Sequence, residues 1–542
     1  MTMKKLMNTP WLQCLLFLVG GGLIAMALKF ELTWDFAQYH YHNGWAFVEG
    51  RFNHDLLAAG YNGYYNPLMD LPLYYLIKYF NDYPNLIYFV QGFWFGALGF
   101  VLFKISGLFF NQKAPRFFTV LLGLCGYGVF FQIGTSSNEI MISFLLLVSL
   151  YLLLRILAGL SEARGKLFFL AGLVAGAAMG LKLTAVIYCV SFGAALILSA
   201  KKIPAPWKNI SLFALGGLLG FAALGGYWLW RCWSAFQNPF FPFANDIFQS
   251  SYWNGGNYTD DRFVPKDWKG FLLLPFDTHR GEGFTVMVDF RLALLYLVLA
   301  AFGVRYLLRK VRKEQIVWNI PLMFVGIFMF VSYLIWINYF GIARYMLPVE
   351  ILCGLVLVKA AVSFMPQKGW KYDVYVQFLS AMVILLLLNP LFSENSGCRH
   401  CGQDKRQFSK FVEVKNVRLP DNSLILFYRS PYNYPVSALL THWAQESQNL
   451  RGIEATPRNY QEGFFAGGWW KEQRDEILKR HMGTKIAVLA VKNGAEAEKL
   501  RRSEPDLQKF ECRELETNLT MAYYTYFLCA DPQNLKNIFT SG

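Results

Sequence analysis

Apolar runs long enough to cross a bilayer alternate along this chain with short polar connections. Two long polar insertions and a polar tail break the alternation. A transmembrane helix needs about 20 mostly apolar residues, about 17 at the short end. Such runs fall near 10–28, 86–109, 117–134, 139–158, 167–181, 184–200, 209–230, 289–308, 316–337, 346–364 and 374–391. They predict about eleven spans. The shortest, 167–181, pairs with 184–200 as a hairpin around GLKLTA. The first run is too long for the apolar segment of a signal peptide, about 7–15 residues, and no small-residue cleavage site follows it. It therefore reads as an uncleaved first span. The insertions occupy 30–85 and 231–288, and the tail occupies 392–542.

The tail follows a different pattern. NSLILFYR and KIAVLAV are apolar runs of strand length. YPVSALLTHWAQES and WKEQRDEILKRH read as amphipathic helices, and LQKFECREL and MAYYTYFLC as late strands. Strands alternating with helices predict a small α/β layer. No glycine-rich phosphate loop follows either early strand, so nucleotide binding is not assigned to it. The expected organisation is a membrane domain over 1–391 and a soluble domain over 392–542.

Composition agrees: 55% of the 542 residues are hydrophobic, 18% aromatic and only 16% charged, against about 25% charged in soluble domains. The formal net charge of +15 does not point to nucleic acid, because the basic residues lie in short clusters between apolar runs. Lys4, Lys5, Lys113, Arg116, Arg155, Arg164, Lys166, Lys201, Lys202, Lys208, Arg305, Arg309, Lys310, Arg312, Lys313, Lys368 and Lys371 alternate correctly to mark one cytoplasmic face. The N-terminus is then cytoplasmic. The long insertions and the tail lie outside the inner (plasma) membrane, on the periplasmic or extracellular side. All seven histidines fall on that outer side. Cys398, Cys401, Cys512 and Cys529 also fall there, where an oxidising compartment permits bridges. Cys512 and Cys529 flank two strand-like runs and are a plausible pair, and CRHC reads as a structural bridge.

Ionisable side chains stand at the outer ends of spans. Asp35 follows the first span by about a turn, where a carboxylate can serve as a general base, ligate a divalent cation or cap a helix. Trp34, Tyr41, Trp45 and Val48 have helical spacing and predict a short helix at the membrane interface. His40 and His42 then point to different faces. The turn GTSSNEI brings Asn138 and Glu139 to the top of the fourth span. GLKLTA brings Lys182, which is either a phosphate ligand or a snorkelling anchor. NYFGIARYMLPVE brings Arg344 and Tyr345, with Glu350 deeper. Arg suits bidentate phosphate recognition, and Arg344 has Glu350 and Glu139 as alternative partners. In the second insertion, NPFFPFANDIFQSSYW reads as a turn and an amphipathic helix, and DTHRGEG as a mobile stretch.

One Asp after the first span, one Glu after the third, one Lys after the fifth and one Arg after the ninth share this face. With TWDFAQYH, SNE, GLKLT, NPFFPFAN and ARYMLP, the pattern resembles the GT-C superfamily of integral-membrane glycosyltransferases, over residues 1–391. The superfamily includes protein O-mannosyltransferases, the aminoarabinose transferase of lipid A and oligosaccharyltransferases. The resemblance implies a polyprenyl-phosphate sugar donor, Asp35 at the reacting centre, Glu139 supporting the acceptor or a metal, and Lys182 and Arg344 on the donor phosphate. Tyr39, His40 and Asn43, which follow Asp35, and Tyr345, beside Arg344, complete the expected substrate-binding set. The chain departs from better-known members in lacking an adjacent acidic pair, since Phe36 follows Asp35, and in lacking the sequon-binding motif of oligosaccharyltransferases.

The expected activity is transfer of a sugar from that donor to a hydroxyl of an envelope glycan, lipid or protein, with inversion and Asp35 as base. No cofactor is assigned with certainty, a divalent cation being possible. A many-span transporter or flippase is the alternative. It would place its charges near the midplane and often in repeated halves, whereas these cluster at one face.

Overall fold

The computed structural model describes residues 9–29, 32–162, 164–253, 263–276, 289–314, 319–364, 409–429, 436–455, 469–519 and 524–539. Among them, eight helices are long and apolar enough to cross a membrane: Pro10–Leu28, Pro84–Ser106, Glu139–Leu157, Arg164–Leu181, Pro206–Phe236, Arg291–Val311, Ile320–Tyr339 and Ala343–Ser363. Proline near the first turn opens several of them, where its missing N–H costs no intrahelical bond. The run 184–200 forms the shorter apolar helix Leu183–Leu198. The run 374–391, Cys398, Cys401 and DTHRGEG lie outside the described residues.

Glycine sets the closest helix pairs. Gly172 and Gly176 on Arg164–Leu181 meet the backbone of Phe213 and Gly217, while Gly216 and Gly220 on Pro206–Phe236 meet that of Phe169 and Leu173. A Cβ at any of these four would enter the opposing main chain. Between lipid-embedded helices such close backbone approach substitutes for a hydrophobic driving force. Gly21 on the first span meets Gly92 and Gly96 on Pro84–Ser106 in the same way.

The run 117–134 is not one continuous helix. It forms Lys113–Leu124, bends at residues 125–126 and resumes as the single turn Tyr127–Phe130. Buried ions fill the bend, as described below.

The C-terminal region builds a five-stranded sheet in the order β2-β1-β3-β5-β4, with β1 Leu424–Arg429, β2 Arg451–Glu454, β3 Lys485–Val491, β4 Glu511–Glu514 and β5 Thr525–Ala530. Helices Ser437–Trp443 and Trp469–Arg480 lie between the parallel strands β1, β2 and β3, while β5 and β4 run antiparallel. β3 is buried from Ile486 to Val491, which explains its unbroken apolar run. Cys512 and Cys529 oppose each other on β4 and β5 and form the expected disulfide.

The first insertion belongs to both bodies. Phe36, Tyr41 and Trp45 share one core with Phe427, Leu439 and Val488 of the sheet layer. Leu56 extends the sheet beyond β2: its N–H donates to Gly452 O at 3.0 Å, and Glu454 N donates to Leu56 O at 2.9 Å. This covers an otherwise open strand edge. The helix Tyr41–Val48 therefore does not float at the lipid interface as its aromatic spacing suggested. Tyr41 and Trp45 are buried under the sheet domain instead.

Candidate active site

Asp35 precedes a π-helical turn, Phe36–His40, in which Tyr41 N donates to Phe36 O. A π turn is rare and frequently marks a functional site. All five of its residues are buried. Thr33 supports the start of the turn: its hydroxyl accepts from Phe36 N at 3.1 Å and lies 3.2 Å from the Ser136 hydroxyl. Glu139 is the first residue of Glu139–Leu157. Lys182 lies between Arg164–Leu181 and the short turn Leu183–Ala185. Arg344 sits in the turn Ala343–Met346, just before Leu347–Phe364.

These four side chains, separated by up to 309 positions in sequence, meet. Arg344 Nη1 donates to Asp35 Oδ2 at 2.7 Å. Arg344 Nε lies 3.8 Å from Glu139 Oε1, and Lys182 Nζ donates to the same Glu139 oxygen. The Tyr345 ring lies beneath both cations, 5.6 Å from Lys182 Nζ and 5.5 Å from Arg344 Cζ. Two acids and two bases thus form a chain of alternating charge, Asp35–Arg344–Glu139–Lys182. Arg344 is paired with Asp35, with Glu139 more distant, and Glu350 is not its partner. Tyr39 faces the same group. Burial first, and then the Asp35 charge, push its phenol well above the ordinary range, so it stays neutral and able to donate.

Two further elements hold the cationic positions. Asn66 Nδ2 donates to Gly180 O at 2.9 Å and Leu224 O at 2.8 Å, tying the first insertion to the helix end that carries Lys182. Tyr188 OH donates to Tyr345 O, fixing the turn that carries Arg344. Neither Asn66 nor Tyr188 stood out in the sequence, because a neutral side chain that binds a carbonyl leaves no pattern.

The remaining expected residues occupy the flanks. His40 Nδ1 lies 2.6 Å from Asp70 Oδ1, both side chains 4% exposed. Asn138, next to Glu139, donates to the same Asp70 oxygen at 3.1 Å. A shallow cleft lined by Asp70, Gln91, Trp94, Gln132, Ser136 and Asn138, among others, opens beside this pair. Asn43 is turned away and donates to Asn62 O at 2.9 Å. His42 faces the C-terminal domain, 3.5 Å from the Thr441 hydroxyl, and burial lowers its pKa to about 4. The two histidines do point to different faces. Among the described residues, no three His, Cys, Asp or Glu side chains group as metal ligands.

A second ion cluster went unread in the sequence. Arg291 opens the helix Arg291–Val311 and is fully buried. Its Nη2 donates to Asp289 Oδ2 at 2.6 Å and to Glu350 Oε1, and its Nη1 to Leu122 O at 2.9 Å and Gly123 O at 3.0 Å. The two carbonyls lie at the end of Lys113–Leu124, where the helix can no longer satisfy them. Gly126 and Gly128 leave the space that Arg291 and Glu350 fill. The signal was present: Arg291 is a cation at the outer end of a span, away from the basic cytoplasmic clusters.

No protein-family model matches the sequence, and no curated protein matches it. The fold does have solved counterparts. ArnT from Cupriavidus metallidurans bound to undecaprenyl phosphate superposes with a TM-score of 0.53 at 12% identity, covering 95% of this chain and 97% of that one. The same protein in the apo state gives 0.54 at 12% identity, covering 97% and 99%. Over nearly its whole length, this chain has the fold of that protein.

Proposed function

We propose that the protein is a polyprenyl-phosphate-dependent glycosyltransferase acting at the outer boundary of the membrane. The observation that carries this reading is the convergence of Asp35, Glu139, Lys182 and Arg344, in a fold whose solved counterpart has undecaprenyl phosphate bound. The outward placement rests on the basic connections at the opposite ends of the spans. Nucleotide sugars are water-soluble and cytoplasmic, so a donor at the outer face is carried by lipid.

In the reaction, the bond between the anomeric carbon and the phosphate oxygen breaks and a bond to the acceptor oxygen forms. The electron pair leaves on the lipid phosphate, where Lys182 and Arg344 stabilise the growing charge. Each such donor contributes about 3–4 kcal/mol in the transition state. Asp35 takes the acceptor proton, a contribution of about 10²–10⁴-fold. A base and a leaving group on opposite sides of the sugar carbon give inversion. Tyr39, a neutral phenol facing the cluster, is placed to donate to the sugar or phosphate, as is His40 held by Asp70. The acceptor is a hydroxyl of an envelope glycan, lipid or protein.

The test uses purified full-length protein in nanodiscs with a radiolabelled polyprenyl-phosphate sugar and an envelope extract. Transfer or release of sugar supports the reading, as does its loss in Asp35→Asn. Binding without turnover under all acceptor conditions would identify a lipid carrier and overturn it.

A further inference from the structure

We infer that Arg344 is a latch on Asp35, and that arrival of the donor phosphate releases the base. The inference rests on the lipid-phosphate reading above and adds how that site is switched. As it stands, the four charged groups close on one another. Arg344 Nη1 donates to Asp35 at 2.7 Å, and Lys182 binds Glu139. Among the described residues these two carboxylates and two cations balance, so an entering phosphate meets cations already engaged by carboxylates. It gains a partner only by drawing a cation off its carboxylate.

The two pairs differ in how readily they part. Glu139 is 8% exposed and Lys182 21%, and Arg344 Nε approaches the Glu139 oxygen as well. The Asp35 pair is more open, with Arg344 32% and Asp35 14% exposed. Arg344 also lies on a short turn, Ala343–Met346, and its guanidinium rests near the Tyr345 face. Such a planar cation can bind phosphate in the bidentate manner that it offers a carboxylate.

While Arg344 holds Asp35, the guanidinium occupies the carboxylate oxygen Oδ2 that an acceptor hydroxyl would approach. Once Arg344 has moved to phosphate, that oxygen is open to the acceptor hydroxyl beside the sugar carbon. No bond is made in this step; one ion pair is exchanged for another. The base is therefore open only where donor is bound, which protects the site from idle proton transfer.

The latch makes a prediction that a simple base does not. Asp35 competes with phosphate for Arg344, so Asp35→Asn should bind undecaprenyl phosphate more tightly than wild type, by roughly five- to tenfold, although it no longer transfers sugar. The gain should vanish in the Arg344→Gln background, which closes a double-mutant cycle. Affinities would be measured on full-length protein in nanodiscs, with melting curves showing that each variant is folded. Inorganic phosphate forms a parallel arm. Weaker binding with the same ranking supports a lipid-borne ligand. Equal binding keeps the latch but overturns the lipid source. Unchanged or weaker binding of undecaprenyl phosphate by Asp35→Asn overturns the latch, as does a gain that persists without Arg344. Wild-type protein that binds no undecaprenyl phosphate overturns the proposed function itself.

Discussion

Replacing Arg291 with methionine should be among the most damaging single changes in the membrane region, and replacing its partner Glu350 with glutamine should not. Arg291 is 1% exposed and Glu350 8%. The guanidinium serves two carboxylates and the carbonyls of Leu122 and Gly123. Methionine has similar length but removes every donor. It leaves Glu350 as an uncompensated buried charge, with two helix-end carbonyls unpaired. Removing one member of a buried ion pair costs about 3–5 kcal/mol. Glu350→Gln leaves Arg291 paired with Asp289 and keeps an oxygen able to accept. Its loss is the difference between a charged and a neutral hydrogen bond, about 1 kcal/mol. Gly126→Ala should resemble Arg291→Met, because its Cβ would occupy the place of the guanidinium and carboxylate. Thermal survival of detergent-solubilised full-length protein, followed by size-exclusion recovery, ranks the three. If Glu350→Gln proves as damaging as Arg291→Met, or Gly126→Ala is silent, the cluster is not the organising contact described here.

Other consequences follow from separate parts of the molecule. Lys182→Gln should lower sugar transfer per folded molecule by about 10²–10³-fold, read as turnover of labelled donor by the monodisperse fraction; a change of less than a few-fold would remove Lys182 from the phosphate site. Gly176→Leu should part Arg164–Leu181 from Pro206–Phe236 and abolish stable folding, whereas Gly193→Leu, where a Cβ meets nothing, should be tolerated; expression and thermal survival compare them. His42 is buried against the C-terminal domain, with Asp55 and Arg51 as its charged neighbours, and its pKa falls from 6.5 to about 4. The unfolded or undocked state therefore takes up the proton first. The stability from keeping His42 neutral, roughly 3 kcal/mol, is complete above about pH 6.5 and is lost as pH falls toward 4; protection of Leu56 and Gly452 amides should decline over that window, and less so in His42→Gln.

The sequence made one-dimensional features plain and left three-dimensional ones dark. Apolar length located the spans, and short apolar runs of strand length located β1 and β3. Asp35, Glu139, Lys182 and Arg344 were legible because a charge at the end of an apolar run has few inexpensive explanations. Which charge meets which was not fully legible: Arg344 had Glu350 and Glu139 as expected partners, and the structure pairs it with Asp35 at 2.7 Å and with Glu139 at 3.8 Å. Arg291 was overlooked because a cation flush with a span start reads as an anchor, and its partners lie 59 and 169 positions away. The bend in 117–134 was hidden for the same reason, since Gly126 and Gly128 look like ordinary small residues until the ions beside them are seen. The helix Tyr41–Val48 misled in the opposite sense. Its aromatic stripe matches a lipid interface, but a protein surface, the C-terminal domain, takes the place of lipid.

The two ion clusters are built from the same residue types, and their surroundings separate their roles. Arg291 has acceptors at Nε, Nη1 and Nη2 from side chains and from helix-end carbonyls, and it is sealed from solvent. A ligand could recruit it only by stripping all of them, so its charge is spent on structure. Arg344 is a third exposed, paired with Asp35 and more distantly with Glu139, and borne on a short turn. On the latch proposed above, an anion displaces the more open of these pairs, that with Asp35. Exposure, rather than charge alone, thus separates the two arginines. On the proposed reading the more exposed Arg344 and Lys182 serve the phosphate and the sealed Arg291 does not, although all three lie at the ends of membrane helices.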